Sequence, residues 1–400
     1  MENFSNTTRS LCIDALRGIA LFAILAVNIQ SFVWGLSSPT MGLLNASSGF
    51  ADQATVFLSA LLLEYKGYPI FSFCFGYGFA VQTKRWAANR EDANRRFTRR
   101  LTVMFLFGAV HGIFLYFGDI LSRYALTGFI LKRHIGKTAR ELWQAVKFWF
   151  RMVIILSVII AALGLVASTT TKSGEDTTNH GSAPSSVMAD IGKDLTTYTA
   201  GNFAKITAQR AQDYLYITIG VFFNVPQLML FFLLGALTEK MAWLKHPEWH
   251  RLRWQQTFWA TLLIGLPINF LYALASLNEA ANPTLSRGIL HSLTSQFIPI
   301  MALSYIALIA LFSTTTIGKR VLSFVASAGK ISLTNYIMQS VIMSTLLYGY
   351  GFALGSELTQ FQLLQLAITI YLTQVIFSHV YLRHFAIGPM EKLWRKLSSL

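Results

Sequence analysis

A histidine, an aspartate and an arginine lie within thirteen residues of an otherwise apolar stretch, HGIFLYFGDILSRYALTG (His111–Gly128). Because an imidazole accepts and returns a proton near neutral pH, His111 is the best general-base candidate in the chain. Asp119 follows a glycine, which is a turn and helix-cap signal, and Arg123 lies four residues further, within reach of it. The structural alternative is that Asp119 and Arg123 cap a hairpin while His111 bonds a neighbouring helix.

Three arginines, Arg96, Arg99 and Arg100, precede this histidine within RRFTRR. An arginine fork can grip a phosphate with two parallel hydrogen bonds, and Arg96 and Arg99 share a helix face. From spacing alone, contact with anionic lipid is the favoured interpretation and phosphate binding is the alternative. The eleven residues from Arg100 to His111 correspond to about 16 Å of helix.

Further polar residues interrupt the apolar segments and could line a substrate cavity. Ser332, Asn335 and Gln339 share one face of a predicted helix, and such a stripe lines either a packed interface or a wet cavity. Glu64 lies at the outer end of the second predicted span and is, with Asp119, a candidate for tuning or positioning His111. The predicted cavity residues are Asp14, Arg17, Asn28, Lys66, Arg123, Ser332, Asn335 and Gln339.

No metal site is predicted. The two cysteines, Cys12 and Cys74, have neither zinc spacing nor the pattern of a disulfide framework. The sequence also has no HExxH motif, no serine-centred elbow and no carboxylate cluster with metal-ligand spacing.

The composition predicts the elements that must position these residues. Hydrophobic residues make up 54% and charged residues 13% of the 400 residues, and the mean hydropathy is +0.48, whereas soluble domains average about 25% charged residues. We therefore predict an all-α, polytopic membrane helix bundle of about ten transmembrane helices. The predicted spans cover residues 15–36, 67–83, 101–117, 119–131, 148–168, 214–238, 255–277, 287–312, 328–349 and 360–382.

The charge distribution predicts the orientation of the bundle. The net charge of +15 invites a nucleic-acid partner, but basic residues also collect in cytoplasmic loops of membrane proteins. Ten spans with both termini cytoplasmic place most of the basic residues inside, so we predict the lipid bilayer, and not nucleic acid, as the partner. The sequence leaves the oligomeric state open, a homo-oligomer included.

A long polar segment divides the chain. Residues 1–167 form a predicted N-terminal five-span half, residues 168–213 an extracytoplasmic loop, and residues 214–400 a C-terminal five-span half. The second half of the loop is predicted as an amphipathic helix on the membrane surface. A further external segment, residues 37–67, is predicted to lie partly along the outer interface.

Five stretches, in order along nearly the whole chain, resemble the YeiB family of bacterial inner-membrane proteins, whose C-terminal part is the DUF418 domain. They are DALRGIALFAILAVNI, FSFCFGYGFAVQ, RRLTVMFLFGAVHGIFLYFGDILSRYALTGF, GKISLTNYIMQSVI and GPMEKLWRKL. This family is similar in turn to the transmembrane acyltransferases, which share the LRG of the first span. The resemblance implies a multi-pass inner-membrane protein that takes an acyl group from cytoplasmic acyl-CoA.

The same resemblance implies roles for individual residues. Acyltransferases of this kind use a membrane histidine and, in one branch, an R-x-x-R arginine pair. Arg96 and Arg99 match that spacing, and His111 corresponds to the histidine by role. We therefore expect acyl-CoA as donor, bound at Arg96, Arg99 and Arg100, and a small-molecule or glycan acceptor outside, whose hydroxyl or amine His111 deprotonates.

Two other classes of function remain open at this stage. Intramembrane His and Asp with a polar stripe would also suit a proton-coupled transporter or exporter of a small molecule or lipid-linked metabolite, although the halves show no clear internal repeat. A non-catalytic scaffold would use His111 and Asp119 for stability alone.

Overall fold

The computed structural model describes residues 11–36, 49–171, 185–279 and 297–399. Within these residues the fold is all-α, with no β-strand and with short 3-10 turns at Lys132–His134 and Leu354–Ser356. The helices, numbered in chain order, are α1 (Leu11–Trp34), α2 (Phe50–Leu62), α3 (Gly67–Ala88), α4 (Ala93–Phe114), α5 (Leu121–Leu131), α6 (Ala139–Thr171), α7 (Ser185–Ala200), α8 (Phe203–Ile219), α9 (Val221–Lys240), α10 (Arg251–Glu279), α11 (Ile300–Phe312), α12 (Thr316–Lys330), α13 (Ser332–Leu347), α14 (Gln360–His384) and α15 (Pro389–Ser399).

Several helices of this membrane protein are long and apolar enough to cross a bilayer. In the described part of the chain they are α1, α6 over Ala139–Leu163, α9, α10 over Arg251–Leu277, and α14. The pair α11 and α12, bent by 119° at a short break, would add a sixth as a broken span. The predicted count of ten is not confirmed. Helices occur at the remaining predicted positions, but α5 and α13 are short, and α4 carries four arginines.

Two helices, α1 and α9, form the centre of the bundle. The side chains of Leu16, Leu25 and Ile29 on α1 are completely buried, as are Phe232 and Leu233 on α9. By contrast, α6, α10 and α14 expose apolar side chains around the outside. An apolar outer surface of this kind suits contact with lipid chains, because no water is present there to penalise its exposure.

The crossing between α3 and α9 depends on glycine. A Cβ atom on Gly76 would lie 1.8 Å from the carbonyl oxygen of Phe232, and one on Gly235 would lie 2.0 Å from that of Phe73. Both contacts are with main-chain atoms, which cannot move aside as a flexible side chain can. Small residues therefore allow these helices to approach closely, as is common within membranes.

The segment predicted as an extracytoplasmic loop contains two helices that cover the bundle, α7 and α8, and their position on the membrane surface stays a prediction. Tyr198 of α7 and Ile206, Arg210 and Asp213 of α8 are all buried, and α8 packs against α4. The side that α8 buries carries apolar and charged residues together, whereas Leu215, Tyr216 and Ile219 are exposed. The first part of the loop, 172–184, lies outside the described residues.

Two other predicted segments are only partly described. The external segment contains α2, which packs against α10, whereas residues 37–48 lie outside the described residues. Likewise, of the eighth predicted span the structure describes only the part from residue 297. The division into two halves stays a prediction, and α1 packs against α12, α13 and α14 from the second half.

Candidate functional site

The imidazole of His111 lies between a carboxylate and a hydroxyl group. It sits in the last turn of α4, and its Nδ1 atom is 2.9 Å from Oδ1 of Asp119, while its Nε2 atom is 2.8 Å from Oγ of Ser340 on α13. All three residues are at most 2% exposed. Because a carboxylate only accepts hydrogen bonds, Nδ1 carries the hydrogen and Nε2 accepts from the Ser340 hydroxyl.

The hairpin between α4 and α5 holds the carboxylate in place. The main-chain N–H of Ser122 donates to Oδ2 of Asp119 at 2.7 Å, so this carboxylate caps α5, which begins at Leu121. Arg123 reaches back to Asp119 as expected, but it donates to the main-chain oxygens of Asp119 (3.0 Å) and Gly118 (3.2 Å) and not to the carboxylate. Arg123 thereby fixes the turn, and the carboxylate keeps an oxygen for His111.

A glycine allows this hairpin to close on the histidine. A Cβ atom on Gly108 would lie 2.4 Å from Oδ2 of Asp119 and 2.3 Å from Oγ of Ser122. Ser122 Oγ in turn lies 2.8 Å from the hydroxyl of Tyr214, whose ring packs against Gly112 on the other side of the histidine. The sequence GAVHG therefore gives α5 and α8 close access to the face of α4 that carries His111.

A cavity approaches this site from the basic end of the bundle. It has a volume of about 250 Å³, and its lining includes the exposed Lys330 and Arg395 and the buried Ile120 and Tyr336. We call the part with the exposed cations its mouth and the part with the two buried residues its closed end. The ring of Tyr336 lies 4.8 Å from the ring of His111, and its hydroxyl accepts a hydrogen bond from the main-chain N–H of Ile120 at 3.3 Å. Neither His111 nor Ser340 lines the cavity, so Tyr336 separates it from them.

The two ends of the cavity differ in character. Its inner walls are mostly apolar and aromatic, and they include Leu21, Phe71, Phe75, Phe97, Met104 and Phe107. Four cationic side chains line the cavity as well, and they are Arg17, Arg100, Lys330 and Arg395. A polar group with negative charge would be favoured beside these cations, and an apolar chain would be favoured within the walls.

Arg100 is held in place by Trp394 of α15. Its guanidinium stacks 4.1 Å above the ring of Trp394, whose Nε1–H donates to the main-chain oxygen of Arg100 at 3.2 Å. Burial, together with the nearby charge of Arg395, lowers the pKa of Arg100 to about 10. Arg100 therefore remains protonated at neutral pH, and a bound anion would relieve the repulsion between these two cations.

The acidic groups near the cavity are engaged in the fold. Asp14 Oδ1 lies 3.2 Å from Arg17 Nη1, which is three residues further along the same helix. Glu391, from the amphipathic helix α15, accepts from the main-chain N–H of Leu333 at 2.7 Å and from the hydroxyl of Thr334 at 2.6 Å, so it caps α13. Four cations and one carboxylate thus line the cavity, and its balance of charge is positive.

Two of the arginines predicted to bind a donor lie away from this cavity. Arg96 is half exposed and pairs with Glu91 at 3.1 Å, and neither Arg96 nor Arg99 is among the lining residues. On a helix, only one side of an arginine cluster can face the bundle, and in α4 that side carries Arg100. The structure thus joins Arg100 to cations from three other helices, which spacing within one motif could not indicate.

The polar stripe of α13 is divided between cavity and packing. Ser332 lines the cavity, whereas Asn335 donates to Ser378 Oγ at 2.9 Å and to Ala328 O at 3.1 Å. Gln339 donates to Gln374 of α14 at 2.9 Å. Asn335 and Gln339 therefore join helices, and the packed interface is the arrangement observed.

The remaining predicted residues lie elsewhere. Glu64 accepts from the hydroxyl of Tyr272 at 2.7 Å, and the fully buried Lys66 donates to Ala60 O at 2.6 Å, so the turn between α2 and α3 makes its own polar cluster without His111. Asn28 is half-buried on α1 and does not line the cavity. Within the described residues, no three His, Cys, Asp or Glu side chains are grouped as a metal ion requires.

At the opposite end from the cations, aromatic side chains cover the site. Tyr116 stacks on Phe32 with ring centroids 4.5 Å apart, and Tyr198 stacks on Tyr348 at 5.2 Å. The fully buried Arg210 of α8 donates to the main-chain oxygen of Leu115 at 3.1 Å, next to the end of α4. This layer shields the His111 pair from the side that the charge distribution predicts to be external.

Four contributors to the site were not predicted, namely Ser340, Tyr336, Ser122 and Tyr214. Tyr336 and Ser340 are four residues apart and share a face of α13. Each directly follows a residue of the predicted polar stripe, so a stripe one residue wider includes both. The small residues around the histidine in GAVHG were a signal for close packing at this position. Nothing in the local sequence of α8 links Tyr214 to α4.

Comparisons with known proteins find one matching family and several similar chains. Residues 239–400 match the family described as "Protein of unknown function (DUF418)". The chain is similar to "Uncharacterized protein YxaH" of Bacillus subtilis, with 28% identity over 97% of this chain and 94% of that protein. It is also similar to "Uncharacterized protein YeiB" of Escherichia coli, with 27% identity over 98% of this chain and 96% of that protein. Ser340 lies inside the DUF418 match, and His111 and Asp119 lie before it.

Proposed function

We propose that this chain, which is similar to YeiB over nearly its whole length and matches the DUF418 family over residues 239–400, is a membrane acyltransferase. In this proposal it moves an acyl group from cytoplasmic acyl-CoA to a hydroxyl or amine acceptor on the other side of a bacterial inner membrane. The observation that carries it is the cavity with a basic mouth, whose closed end is formed by the residue that packs on His111, Tyr336.

The cavity suits a donor that has an anionic head and a long arm. Ligand pockets for whole drug-sized molecules measure about 300–1,000 Å³, so a cavity of about 250 Å³ takes only part of CoA. The pantetheine arm and acyl group would enter between the aromatic walls. The phosphates would stay at Arg17, Arg100, Lys330 and Arg395, where charge-assisted hydrogen bonds form.

The histidine supplies the acid–base chemistry. As the nucleophile attacks the thioester carbonyl, Nε2 of His111 accepts its proton, and the carboxylate of Asp119 stabilises the imidazolium that forms at Nδ1. The protonated histidine then returns the proton to the departing thiolate. In the buried setting observed for both residues, such interactions are stronger than in water.

The orientation follows from charge. The cations at the cavity mouth belong to the basic end of the bundle, which the positive-inside rule assigns to the cytoplasm. Acyl-CoA is a cytoplasmic metabolite, so the donor would reach the mouth directly. The acceptor would approach from the end that the aromatic layer around Tyr116 covers, and this layer must open for it to enter.

Purified full-length protein in lipid nanodiscs, mixed with acetyl-CoA, tests the proposal. We expect CoA and acetyl-CoA to raise the melting temperature, since a ligand that binds only the folded state stabilises it. We also expect slow release of free CoA thiol that is lost in His111→Ala, with water as a poor acceptor.

The outcomes separate the classes of function. If CoA compounds neither stabilise the protein nor lose their acyl group, the acyltransferase proposal is wrong. If His111→Ala binds the donor but releases thiol at the wild-type rate, the histidine is not the base. Stabilisation and transport of an intact small molecule across sealed vesicles, without thiol release, would support an exporter in its place.

A further inference from the structure

We propose that Ser340 carries the acyl group as a covalent ester between the two halves of the reaction. The inference rests on the proposed acyl transfer and goes beyond it, because transfer could also run directly from donor to acceptor. Its starting point is the connected series Asp119–His111–Ser340, in which carboxylate, imidazole and hydroxyl are joined by bonds of 2.9 and 2.8 Å. This is the order of groups that activates a serine nucleophile.

The direction of the Ser340 hydroxyl supports this role. Serine and threonine residues within helices usually bond back to a carbonyl of their own helix, and here Ser344 bonds to Val341 O and Thr345 to the same oxygen. Among the described residues, the hydroxyl of Ser340 bonds only to Nε2 of His111. The imidazole, and not the helix, therefore receives its proton.

The position of Ser340 relative to the cavity is also suitable. Tyr336 forms the closed end of the cavity and lies one turn before Ser340 on the same face of α13, a rise of about 6 Å. Its hydroxyl accepts a bond from Ile120 N, and its own hydrogen can be donated to an oxyanion formed beside Ser340. A rotation of the Tyr336 side chain would connect the cavity to the serine.

A covalent intermediate fits the two-sided layout of the site. The donor cavity opens at the basic end, and stacked aromatic rings such as Tyr116 and Phe32 cover the other end. With the acyl group held on Ser340, CoA can leave before the acceptor enters. The two substrates then never require an opening through the bundle at the same time.

The chemical steps balance as follows. Ser340 Oγ loses its proton to His111 Nε2 and attacks the thioester carbonyl, and the tetrahedral intermediate collapses with cleavage of the C–S bond. His111 gives that proton to the CoA thiolate. The acceptor hydroxyl or amine then loses its proton to Nε2 and attacks the Ser340 ester, the bond from the acyl carbon to Oγ breaks, and Oγ takes the proton back.

Trapping the intermediate tests the inference. Full-length protein in nanodiscs is mixed with acetyl-CoA labelled in the acetyl group, without acceptor, and is quenched in denaturant. We expect the label to accumulate toward about one acetyl group per chain and to map to the peptide that contains Ser340. Ser340→Ala should abolish the label and slow thiol release about 1,000-fold.

Two further variants serve as controls for the labelling experiment. Ser344→Ala, one turn further on the same helix, is the matched control and should label as the wild type does. Ser340→Cys should retain a label that is now a thioester, which neutral hydroxylamine removes, whereas the serine ester requires alkaline conditions. This signature is independent of whether Ser340→Ala folds.

The results also separate this inference from the proposed function. If the wild type releases thiol and Ser340→Ala does so at a similar rate, or if no label accumulates while thiol is released, Ser340 is not acylated and the histidine acts on the acceptor directly. If the wild type neither binds nor cleaves acetyl-CoA, the proposed function is wrong and the inference falls with it.

Discussion

Nδ1 of His111 and Oδ1 of Asp119 lie 2.9 Å apart although the two residues are eight positions apart in the sequence, because the chain turns back at the end of α4. The turn is held by Arg123 on its main-chain oxygens and by Ser122 on the second carboxylate oxygen. None of these bonds involves the imidazole of His111. The hairpin therefore presents the carboxylate to His111 and fixes which ring nitrogen carries the hydrogen.

The first prediction concerns that carboxylate. Asp119→Asn keeps an oxygen for Ser122 N but removes the charge that stabilises the imidazolium, and its amide can favour the wrong tautomer of His111. We expect the rate of acyl transfer at saturating donor to fall about 100- to 10,000-fold. The KM for acyl-CoA should change little, because Asp119 does not line the cavity.

Asp52→Asn provides the matched control for this change. Asp52 accepts from the main-chain N–H of Phe361 at 2.9 Å, far along the chain from the histidine, and its variant should transfer at the wild-type rate. A wild-type rate in Asp119→Asn as well would mean that Asp119 only caps α5.

The helices and turns of this site could be predicted from the sequence, whereas the contacts between distant helices could not. A helix through His111 and a turn at Gly118 follow from local signals, namely apolar periodicity and a glycine before an aspartate. The helix ends at Phe114, three residues before the predicted end of its span, and the next helix begins at Leu121, two residues after the predicted start. The pair of Asp14 and Arg17 was also predictable, since it depends on helical spacing alone. Local rules of this kind involve residues that are neighbours in the chain.

The long-range contacts could not be derived in the same way. The bond between His111 and Ser340 joins residues 229 positions apart, and it depends on how α13 is rotated against α4. A histidine flanked by glycines indicates that some helix packs there, but not which one. The same limit explains why Arg100, and not the predicted pair of Arg96 and Arg99, meets the cations of other helices at the cavity.

The second prediction concerns those cations. Arg100→Gln and Arg395→Gln should each weaken binding of CoA about tenfold, measured by calorimetry in nanodiscs, since each removes a charge-assisted bond to phosphate. The affinity of the wild type should also fall with added salt. The rate of transfer at saturating donor should be nearly unchanged.

The exposed Arg320 of α12 provides the control for charge alone, and Arg320→Gln should bind CoA as the wild type does. Arg96→Gln distinguishes the two assignments of the donor site. If Arg96→Gln loses as much affinity for CoA as Arg100→Gln, the cavity is not the donor site, and the arginine pair predicted from spacing is favoured.

The third prediction concerns the polar contact between α13 and α14. Gln339→Met or Gln374→Met alone removes the bond between the two buried amide groups, although Gln374 also donates to the main-chain oxygen of Asn335. Each change should therefore lower the free energy of unfolding by about 1–3 kcal/mol. The double variant should lose less than the sum, with a coupling energy of about 1 kcal/mol. Unfolding in mixed micelles measures these values.

Donor binding provides the second measurement for these variants. Because Gln339 and Gln374 do not line the cavity, the affinity for CoA should stay at the wild-type value in all three. If the two single losses of stability add up in the double variant, or if the affinity for CoA changes, the prediction is wrong. The polar stripe of α13 would then face a wet cavity in the membrane, and not the packed interface with α14.

The last prediction concerns the glycine that lets the hairpin close. In Gly108→Ala, a Cβ atom would meet Asp119 Oδ2 at 2.4 Å and Ser122 N at 2.5 Å, so α5 must move away from α4. Alanine is the better helix former by about 1 kcal/mol, but forced repacking costs about 1–3 kcal/mol. The melting temperature should therefore fall or stay level, and acyl transfer should fall strongly because Asp119 shifts away from His111. Gly49→Ala, where a Cβ meets nothing within 4 Å, should leave acyl transfer unchanged and lower the melting temperature only slightly, because Gly49 is the N-cap residue of α2. Full transfer activity in Gly108→Ala would show that catalysis tolerates movement of the carboxylate, and the pairing of Asp119 with His111 would then lose its proposed role.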